Sequence, residues 1–476
     1  MFQLPEKIPV TFTSSQGPWR ELYSPNNGKK IAEVQLATEE DLRQILASTE
    51  EAQEKMASLR PYERSSLLRK VADKIKQRED EFSFAIASEG GKPLKDARIE
   101  VSRAQSTLEL CAEETLRLTG DVIPMERTAA GKDHMAFTLH DPIGAVLAIS
   151  AFNHPLNLLA HQVGCAIAAG NSVVLKPSSS TPICAHLLEN LFREAGLPKE
   201  ALRVVNTEAR LMKTLVESPM FSFLNFIGSP LVGWELRKQV APGTRLALEH
   251  GGQATAIVRH DADCESAVKA LVKGAFYHAG QVCISTQVVF VHKLIEDKFI
   301  QMFKSETLKL ITGPATDEKT DVGPLINKTE VQRIQSWIKE AQEEGAQVIC
   351  GNEANENFLS PTIVTHVPKG SKLMEQEVFG PVVCINSYEN ETEVISALNR
   401  RRYQFETALF TNDLSTALKL AKMNTSMTFV INNHTAFRVD QMPFGGHKES
   451  GLGMGGVQYA IHEMSRLKQI IIKLTP

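Results

Sequence analysis

Between residues 142 and 258, short apolar, β-branched runs alternate with stretches of helical periodicity, and that alternation admits few folds. The runs at 145–149, 173–175, 202–205 and 223–227 read as buried strands. Between them, 156–169 and 181–195 carry apolar residues at three-four spacing, and the second closes on Gly196-Leu197-Pro198, a helix stop. Strands separated in this way by helices predict an α/β fold, a parallel sheet flanked by helices. A second round of alternation begins at 254–258 and runs to about residue 435. A chain of 476 residues is too long for one core, so two or three domains are expected.

The flanking segments have a different character. Residues 1–30 are polar and end in the turn Ser24-Pro25-Asn26-Asn27-Gly28, followed by a short strand at 33–36. Thr38-Glu39-Glu40-Asp41 predicts a capped helix start. Helical patterning continues to about 113, interrupted by Ser88-Glu89-Gly90-Gly91-Lys92-Pro93 and resumed over 97–118. Residues 120–139 read as a protruding hairpin, either an arm that pairs with another subunit or an ordinary surface hairpin. The apolar strand 469–474 has nothing after it to pair with, and the hairpin arm of a partner chain is its expected neighbour.

Composition removes several function classes. Hydrophobic residues make up 42% and charged residues 23%, as in ordinary globular proteins, and a net charge of -4 gives no basic footprint for nucleic acid. The start, Met1 to Lys7, lacks the pattern of a signal peptide, and the longest apolar run, 143–152, is too short to cross a bilayer. Seven cysteines, at 111, 165, 184, 264, 283, 350 and 384, show no paired spacing, which predicts reduced thiols in a cytoplasmic protein rather than a disulfide frame or a metal site.

Chemistry concentrates in a few segments. In Gly280-Gln281-Val282-Cys283-Ile284-Ser285-Thr286 one cysteine is presented on a turn ahead of the apolar run Val288-Val289-Phe290-Val291. A thiol acts as nucleophile only as thiolate and needs a base or positive charge nearby. Glu249, ending the apolar run of Leu246-Ala247-Leu248-Glu249-His250-Gly251-Gly252-Gln253, is the candidate base, and the glycines after it let the backbone pass close to a ligand. Gly228-Ser229-Pro230-Leu231-Val232-Gly233 follows a strand and opens a helix, with Ser229 suited to the N-cap and Pro230 to the first turn. Its free amides could hold a pyrophosphate, or the glycines could simply shape the turn. Lys176 ends the strand 173–175, on the side where open α/β sheets bind ligands, or is a solvated charge there.

Together these segments resemble the aldehyde dehydrogenase superfamily, from about residue 20 to the C-terminus. Gly280-Gln281-Val282-Cys283 matches its Gly-Gln-x-Cys, and Glu249-His250-Gly251-Gly252-Gln253 its Glu-Leu-Gly-Gly-Lys. Phe152-Asn153-His154-Pro155 resembles Pro-Trp-Asn-Phe-Pro, Glu377-Val378-Phe379-Gly380-Pro381 matches Glu-x-Phe-Gly-Pro, and 443–453 matches Pro-Phe-Gly-Gly-x-Lys-x-Ser-Gly-x-Gly. The resemblance implies a Rossmann-like cofactor domain (1–120 and 142–250), an α/β catalytic domain (251–446) and an oligomerisation arm (121–141 with 461–476) in a homodimer or homotetramer. It implies that Cys283 attacks a small aldehyde, that Asn153 and the Cys283 amide stabilise the oxyanion, and that water activated by Glu249 releases the acid. NAD or NADP would be held by Lys176 at the adenosine ribose, by the turn of Gly228, Ser229 and Gly233, and by Glu377 and Phe379 at the nicotinamide.

Some positions depart from the family pattern. Ser179 stands where NAD-preferring members carry a glutamate, so NADP is expected to be accepted alongside NAD. The glycine-rich stretch after the next strand is replaced by Val205-Asn206-Thr207-Glu208-Ala209-Arg210. The branches of closest flavour oxidise small polar or anionic aldehydes such as lactaldehyde, semialdehydes and phosphonoacetaldehyde, and Arg103 and His154 are the expected groups at the aldehyde's far end. The other reading of these two is a surface ion pair and a packed core histidine. A CoA-acylating enzyme and an inactive homologue with a binding or structural role remain as alternatives. The presence of Glu249 counts against the first, and the joint presence of Cys283, Glu249, Asn153, Lys176 and Glu377 against the second.

Overall fold

The computed structural model describes residues 4–474. Two sheets organise the chain. The first has six strands in the order Gly451–Leu452, Arg245–Glu249, Phe223–Ile227, Val146–Ile149, Val173–Lys176, Leu202–Val204; all are parallel except the first, a late segment that pairs antiparallel with Arg245–Glu249. Chain order runs outward in one direction from Val146–Ile149 and then resumes on its other side at Phe223–Ile227. The crevice at such a reversal is where open α/β sheets take ligands. The loop bearing Asn153 and the turn at Gly228 both leave the sheet there.

The second sheet has seven strands, ordered Gln347–Cys350, Thr362–Thr365, Val382–Tyr388, Thr286–His292, Ala254–Val258, Glu406–Phe410, Thr428–Ile431, parallel except for the first. Its apolar core is separate from that of the first sheet. Glu249 is the last residue of a strand in one sheet, and Ala254 is the first of a strand in the other. Only residues 250–253 separate them, which brings the carboxyl edge of the first sheet against the amino edge of the second. The helix Val457–Glu463 returns to the first core through Val457, Ala460 and Ile461.

Local expectations are met where side chains decide the geometry locally. Strands Trp19–Tyr23 and Lys30–Gln35 form the hairpin around the Pro25–Gly28 turn, and Thr38 caps helix Glu39–Ala47 in a capping box with Asp41. The segment 120–139 is a hairpin, with Val122–Ile123 on His134–Pro142. One expectation is corrected: the terminal strand, Ser465–Lys473, pairs along its whole length with His134–Pro142 of the same chain, not a partner's arm. A strand needs a hydrogen-bonded neighbour, but nothing in its sequence says whether that neighbour is intramolecular. No helix among the described residues is long and apolar enough to cross a membrane, and all seven cysteines are free thiols.

Two buried glutamates lock the first domain's helices. Glu89 accepts from the amides of Ile183 (2.7 Å) and Cys184 (3.0 Å), satisfying the orphan donors that begin helix Ile183–Ala195. Glu100, on helix Leu94–Arg117, accepts from the amides of Leu156 (2.9 Å) and Asn157 (3.1 Å), where helix Asn157–Ala168 starts. Its other oxygen pairs with Lys92, and both side chains of that ion pair are 0% exposed. Removing one member of such a pair leaves an uncompensated buried charge. Glu100→Gln should therefore destabilise the protein by about 3–5 kcal/mol, read as a fall in the denaturant midpoint. A shift within about 0.5 kcal/mol, as for an ordinary surface change, would show that this pair does not hold the fold.

Candidate active site

Cys283 stands at the mouth of the second sheet because the chain before it is forced into a tight turn. His278 and Ala279 hold left-handed φ angles of 49° and 53°, followed by Gly280 at 69°. A Cβ on Gly280 would lie 2.1 Å from the Gly380 carbonyl oxygen, so only glycine fits. Gln281 anchors the turn: its side-chain oxygen accepts from the Ile326 amide (2.9 Å) and its Nε2 donates to the Pro324 carbonyl (3.3 Å). The Gly-Gln lead-in is thus a structural clamp, and the residue it presents is the thiol.

Four further groups converge on this turn. Asn153 donates Nδ2 to the Gln281 carbonyl at 3.0 Å, which fixes its carboxamide beside the turn that carries Cys283. Phe379, at a φ of 49°, meets Phe152 edge-on with ring centres 5.8 Å apart. Glu377 lies over the Gly251-Gly252 turn so closely that a Cβ on Gly251 would sit 2.0 Å from its carboxylate oxygens. One of those oxygens, Oε1, is buried with no partner. Glu249, ending its strand at the same edge, lines a cavity with His161, Arg438 and Phe444.

Electrostatics follow from burial. Burial pushes the Cys283 thiol well up, and the neighbouring Glu249 and Glu377 carboxylates add to it. Glu249 is raised by burial and partly restored by the positive charge of Arg438. Burial lifts Glu377 to about 8, against a hydrogen bond from the Gly252 amide and the charge of Arg333. Glu406, at the start of its strand in the same sheet, is likewise lifted to about 8 by burial, and its Oε2 is an orphan.

At the first sheet, Lys176 ends its strand with Nζ 3.4 Å from the Ser179 hydroxyl, and burial lowers its ammonium to about 8, assisted by the charge of Arg20. Arg20 donates to the Ser179 carbonyl at 3.1 Å. Ser229 and Pro230 begin helix Pro230–Gln239 as expected, and the Ser229 hydroxyl makes no cap bond, which leaves the first-turn amides open. Gly233 has a packing role: a Cβ there would lie 1.9 Å from the His250 ring, so the glycine lets this helix settle against the residue after Glu249. An anionic dinucleotide fits these residues, with open helix amides, a cationic strand end and an orphaned carboxylate oxygen along one edge.

The two expected substrate contacts fare differently. Arg103 presents its fork to Asp440, Nη2 to Oδ1 at 2.8 Å and Nε to Oδ2 at 3.1 Å, so two of its three guanidinium nitrogens are engaged inside the protein. His154 is buried with its ring facing Tyr277 and His278, and burial holds it well below the usual histidine range and neutral. Sequence reasoning gave no site role to Arg438, His161 or Arg20. A pair of charges two apart in Arg438-Val439-Asp440 was the only signal, and which of them would be left unpaired depends on residues more than 270 positions away.

The sequence model of the aldehyde dehydrogenase family matches residues 12–470, and the chain belongs to that family. It is an NAD(P)-dependent aldehyde dehydrogenase. It is 43% identical over 444 residues, 93% of this chain and 92% of the relative, to the 3-sulfolactaldehyde dehydrogenase of Priestia aryabhattai. Its structure superposes with a TM-score of 0.96 on aldehyde dehydrogenase 21 of Physcomitrella patens, solved with the reaction product succinate, at 32% identity covering 98% of each chain. A TM-score of 0.91 relates it to glyceraldehyde-3-phosphate dehydrogenase GapN of Methanocaldococcus jannaschii, complexed with NADP, at 36% identity over 95% of this chain and 98% of that one.

A carboxylate near a thiol disfavours the thiolate. Alkylation of Cys283 by iodoacetamide, followed peptide by peptide against pH, should therefore show a midpoint above the ordinary thiol value of about 8.5. Because the Glu249 charge contributes to the raised value, Glu249→Gln should lower that midpoint. An unchanged midpoint would place the two groups too far apart to interact.

Proposed function

We propose that this enzyme oxidises a small polar aldehyde to its carboxylic acid, with Cys283 as nucleophile, Glu249 as base and Asn153 as oxyanion donor. The observation that carries the assignment is that segments far apart in sequence deliver these groups to one cleft between the sheets. The Cys283 thiol gives its proton to solvent, and its sulfur attacks the carbonyl carbon. The second Nδ2 hydrogen of Asn153 and the Cys283 amide then hold the oxygen as it gains charge. NAD(P), held along the edge that carries Lys176, Ser179, Gly228, Ser229 and Glu377, would supply the hydride acceptor through which the adduct on Cys283 becomes a thioester. Glu249 then takes a proton from water, which attacks the thioester carbonyl and frees acid and thiol.

In this reading the six-stranded sheet and its helices (1–120 and 142–250) hold the cofactor, with Lys176, Ser179, Gly228 and Ser229 along its edge, and Glu377 and Phe379 face the nicotinamide. The seven-stranded domain (251–446) supplies the nucleophile. The arm (121–141 with 461–476) exposes Val122 and Leu139 on one face of its sheet and Leu467 and Ile471 on the other, apolar surface suited to a second copy of the chain in a homodimer or homotetramer. A cytoplasmic setting suits its free thiols. Residues 1–3, part of the segment read as lacking a leader, lie outside the described residues.

Two measurements test the assignment. Cys283→Ala should abolish turnover, whereas Glu249→Gln should release about one equivalent of reduced cofactor per site in a burst and then stall. Normal steady-state rates in Glu249→Gln would remove Glu249 from the role of base. For cofactor choice, Lys176 and Arg20 place two cations beside a neutral Ser179, so NADP should be used alongside NAD. Ser179→Glu should shift the preference toward NAD by about tenfold or more, since a new carboxylate repels a 2′-phosphate. An unaltered NADP/NAD ratio would put Ser179 away from the ribose.

A further inference from the structure

Helices Leu94–Arg117 and Asn157–Ala168 meet along a seam that carries a ladder of polar side chains. The first helix presents Arg103, Thr107 and Cys111 at every fourth position, and the second presents Asn157, His161 and Cys165 at the same interval. Each set therefore lies on one helix face. The rungs meet in order. Asp440 closes the end nearest the cleft, accepting from Arg103 (2.8 Å) and His161 (2.9 Å). Thr107 donates its hydroxyl to the Asn157 side-chain oxygen at 3.2 Å and lies 3.4 Å from the His161 ring nitrogen. The far rung is a pair of thiols, Cys111 Sγ and Cys165 Sγ, 3.8 Å apart.

The thiols are this close because Gly164 has no side chain. A Cβ there would lie 3.1 Å from Cys111 Sγ and 2.8 Å from a Leu108 methyl, so the bare backbone lets the two helices sit together. Both cysteines are buried, and Cys165 Sγ also reaches the Val457 carbonyl at 3.8 Å. Their surroundings differ. Burial works against a charge on His161, one turn before Cys165, but the Asp440 bond outweighs it and holds the ring above the usual histidine range. The bond from Cys111, together with that His161 ring, holds the Cys165 thiol below the ordinary range against burial, whereas burial pushes Cys111 well up. One member of the pair is thus suited to be the thiolate and the other to stay a thiol. The His161 ring, which touches Cys165, lines the cavity beside Glu249, so a molecule of water's size in that cavity is one side chain away from the sulfur.

We propose that Cys111 and Cys165 form a redox modification site, which a small hydroperoxide entering by the cleft converts reversibly into a disulfide joining the two helices. The Cys165 sulfur attacks an oxygen of hydrogen peroxide: an S–O bond forms, the O–O bond breaks, and the departing hydroxide takes a proton to leave as water. Cys165 is then a sulfenic acid. The Cys111 sulfur attacks the Cys165 sulfur, the S–S bond forms, and the S–O bond breaks as hydroxide leaves with the Cys111 proton as a second water. Two electrons pass from the two thiols to the peroxide. The sulfurs must close from 3.8 Å to a bond length of about 2.05 Å. The bond would link positions 54 apart in the chain, restricting the unfolded chain and locking the far end of a seam whose near end is the Asp440 network. This chemistry is independent of the reaction at Cys283.

Peptide mapping of the full-length Cys283→Ser chain tests the site without interference from the nucleophile. After treatment with hydrogen peroxide, a digest run without reductant should contain the Cys111 and Cys165 peptides joined, and dithiothreitol should separate them. Recovery of both residues as free thiols, alkylated only after denaturation, would overturn the proposal, and so would either one joined to a different cysteine. The order of attack has its own readout. In the same background Cys111→Ser should leave Cys165 as a sulfenic acid that dimedone traps, while Cys165→Ser should leave Cys111 unlabelled. Dimedone on Cys111 instead would overturn the assignment of Cys165 as the attacking sulfur. The parent chain's map stands whether or not either variant folds. Finally, the oxidised chain should melt about 2 °C or more above the reduced one, with no such rise in Cys111→Ser. A joined peptide with an unchanged or lower melting midpoint would show that the bond does not lock the seam, and overturn that part of the proposal.

Discussion

The Glu100 carboxylate is the contact on which the geometry of the cleft depends. It joins three pieces of chain: the long helix Leu94–Arg117, the Lys92 ammonium, and the first amides of helix Asn157–Ala168. Asn153 lies in the short loop between strand Val146–Ile149 and that helix start. With the strand fixed by its sheet and the helix by Glu100, the loop has little freedom, and the carboxamide is delivered to the Gln281 carbonyl. In a low dielectric a fully bonded charge is rigid, and one that loses a partner is costly. The position of the Asn153 carboxamide is thus set by a buried charge outside its own loop.

The same physics separates the buried polar groups that build the cleft from those that face a ligand. Glu100, Gln281 and Asp440 have their bonds satisfied inside the protein. Glu377 Oε1, Glu406 Oε2 and Arg438 Nε are buried and bare. Unsatisfied buried groups are rare, and where they cluster at a cleft they mark bonds meant for something that binds there. Two of these orphans are carboxyls lifted by burial to about 8, and the third is the only cation of the set. The cleft is therefore asymmetric in charge, protonatable on the Glu377 side and positive beside Arg438.

Close approach explains the glycines next to Cys283 and Glu249. Gly280 must clear the Gly380 carbonyl, and Gly251 must clear the Glu377 carboxylate, and no side chain could be accommodated at either. The strand Gly451–Leu452 then seals the edge next to Glu249, and the Ser450 hydroxyl accepts from the Gln404 amide. The Phe-Gly-Gly loop is in this sense an outer wall beside Glu249.

Much of this was readable from the chain alone. Strand and helix alternation is set by the local spacing of apolar residues, so both sheets could be anticipated. Cys283, Glu249, Asn153 and Glu377 sit in short motifs whose glycines and flanking residues are themselves local. Three things were decided only by tertiary structure. The terminal strand 465–473 could have paired with any exposed edge, and folding chose the hairpin of its own chain. Gly233, legible as part of a phosphate turn, is placed against His250 by the packing of a helix on a neighbouring strand. Arg103 and Arg438 look alike in sequence, and only the meeting of the 94–117 helix, the 157–168 helix and the 432–443 loop determines which is neutralised by Asp440. Hydrophobic periodicity is a short-range property of the chain, whereas the pairing of charges depends on which distant side chains burial brings within hydrogen-bonding distance.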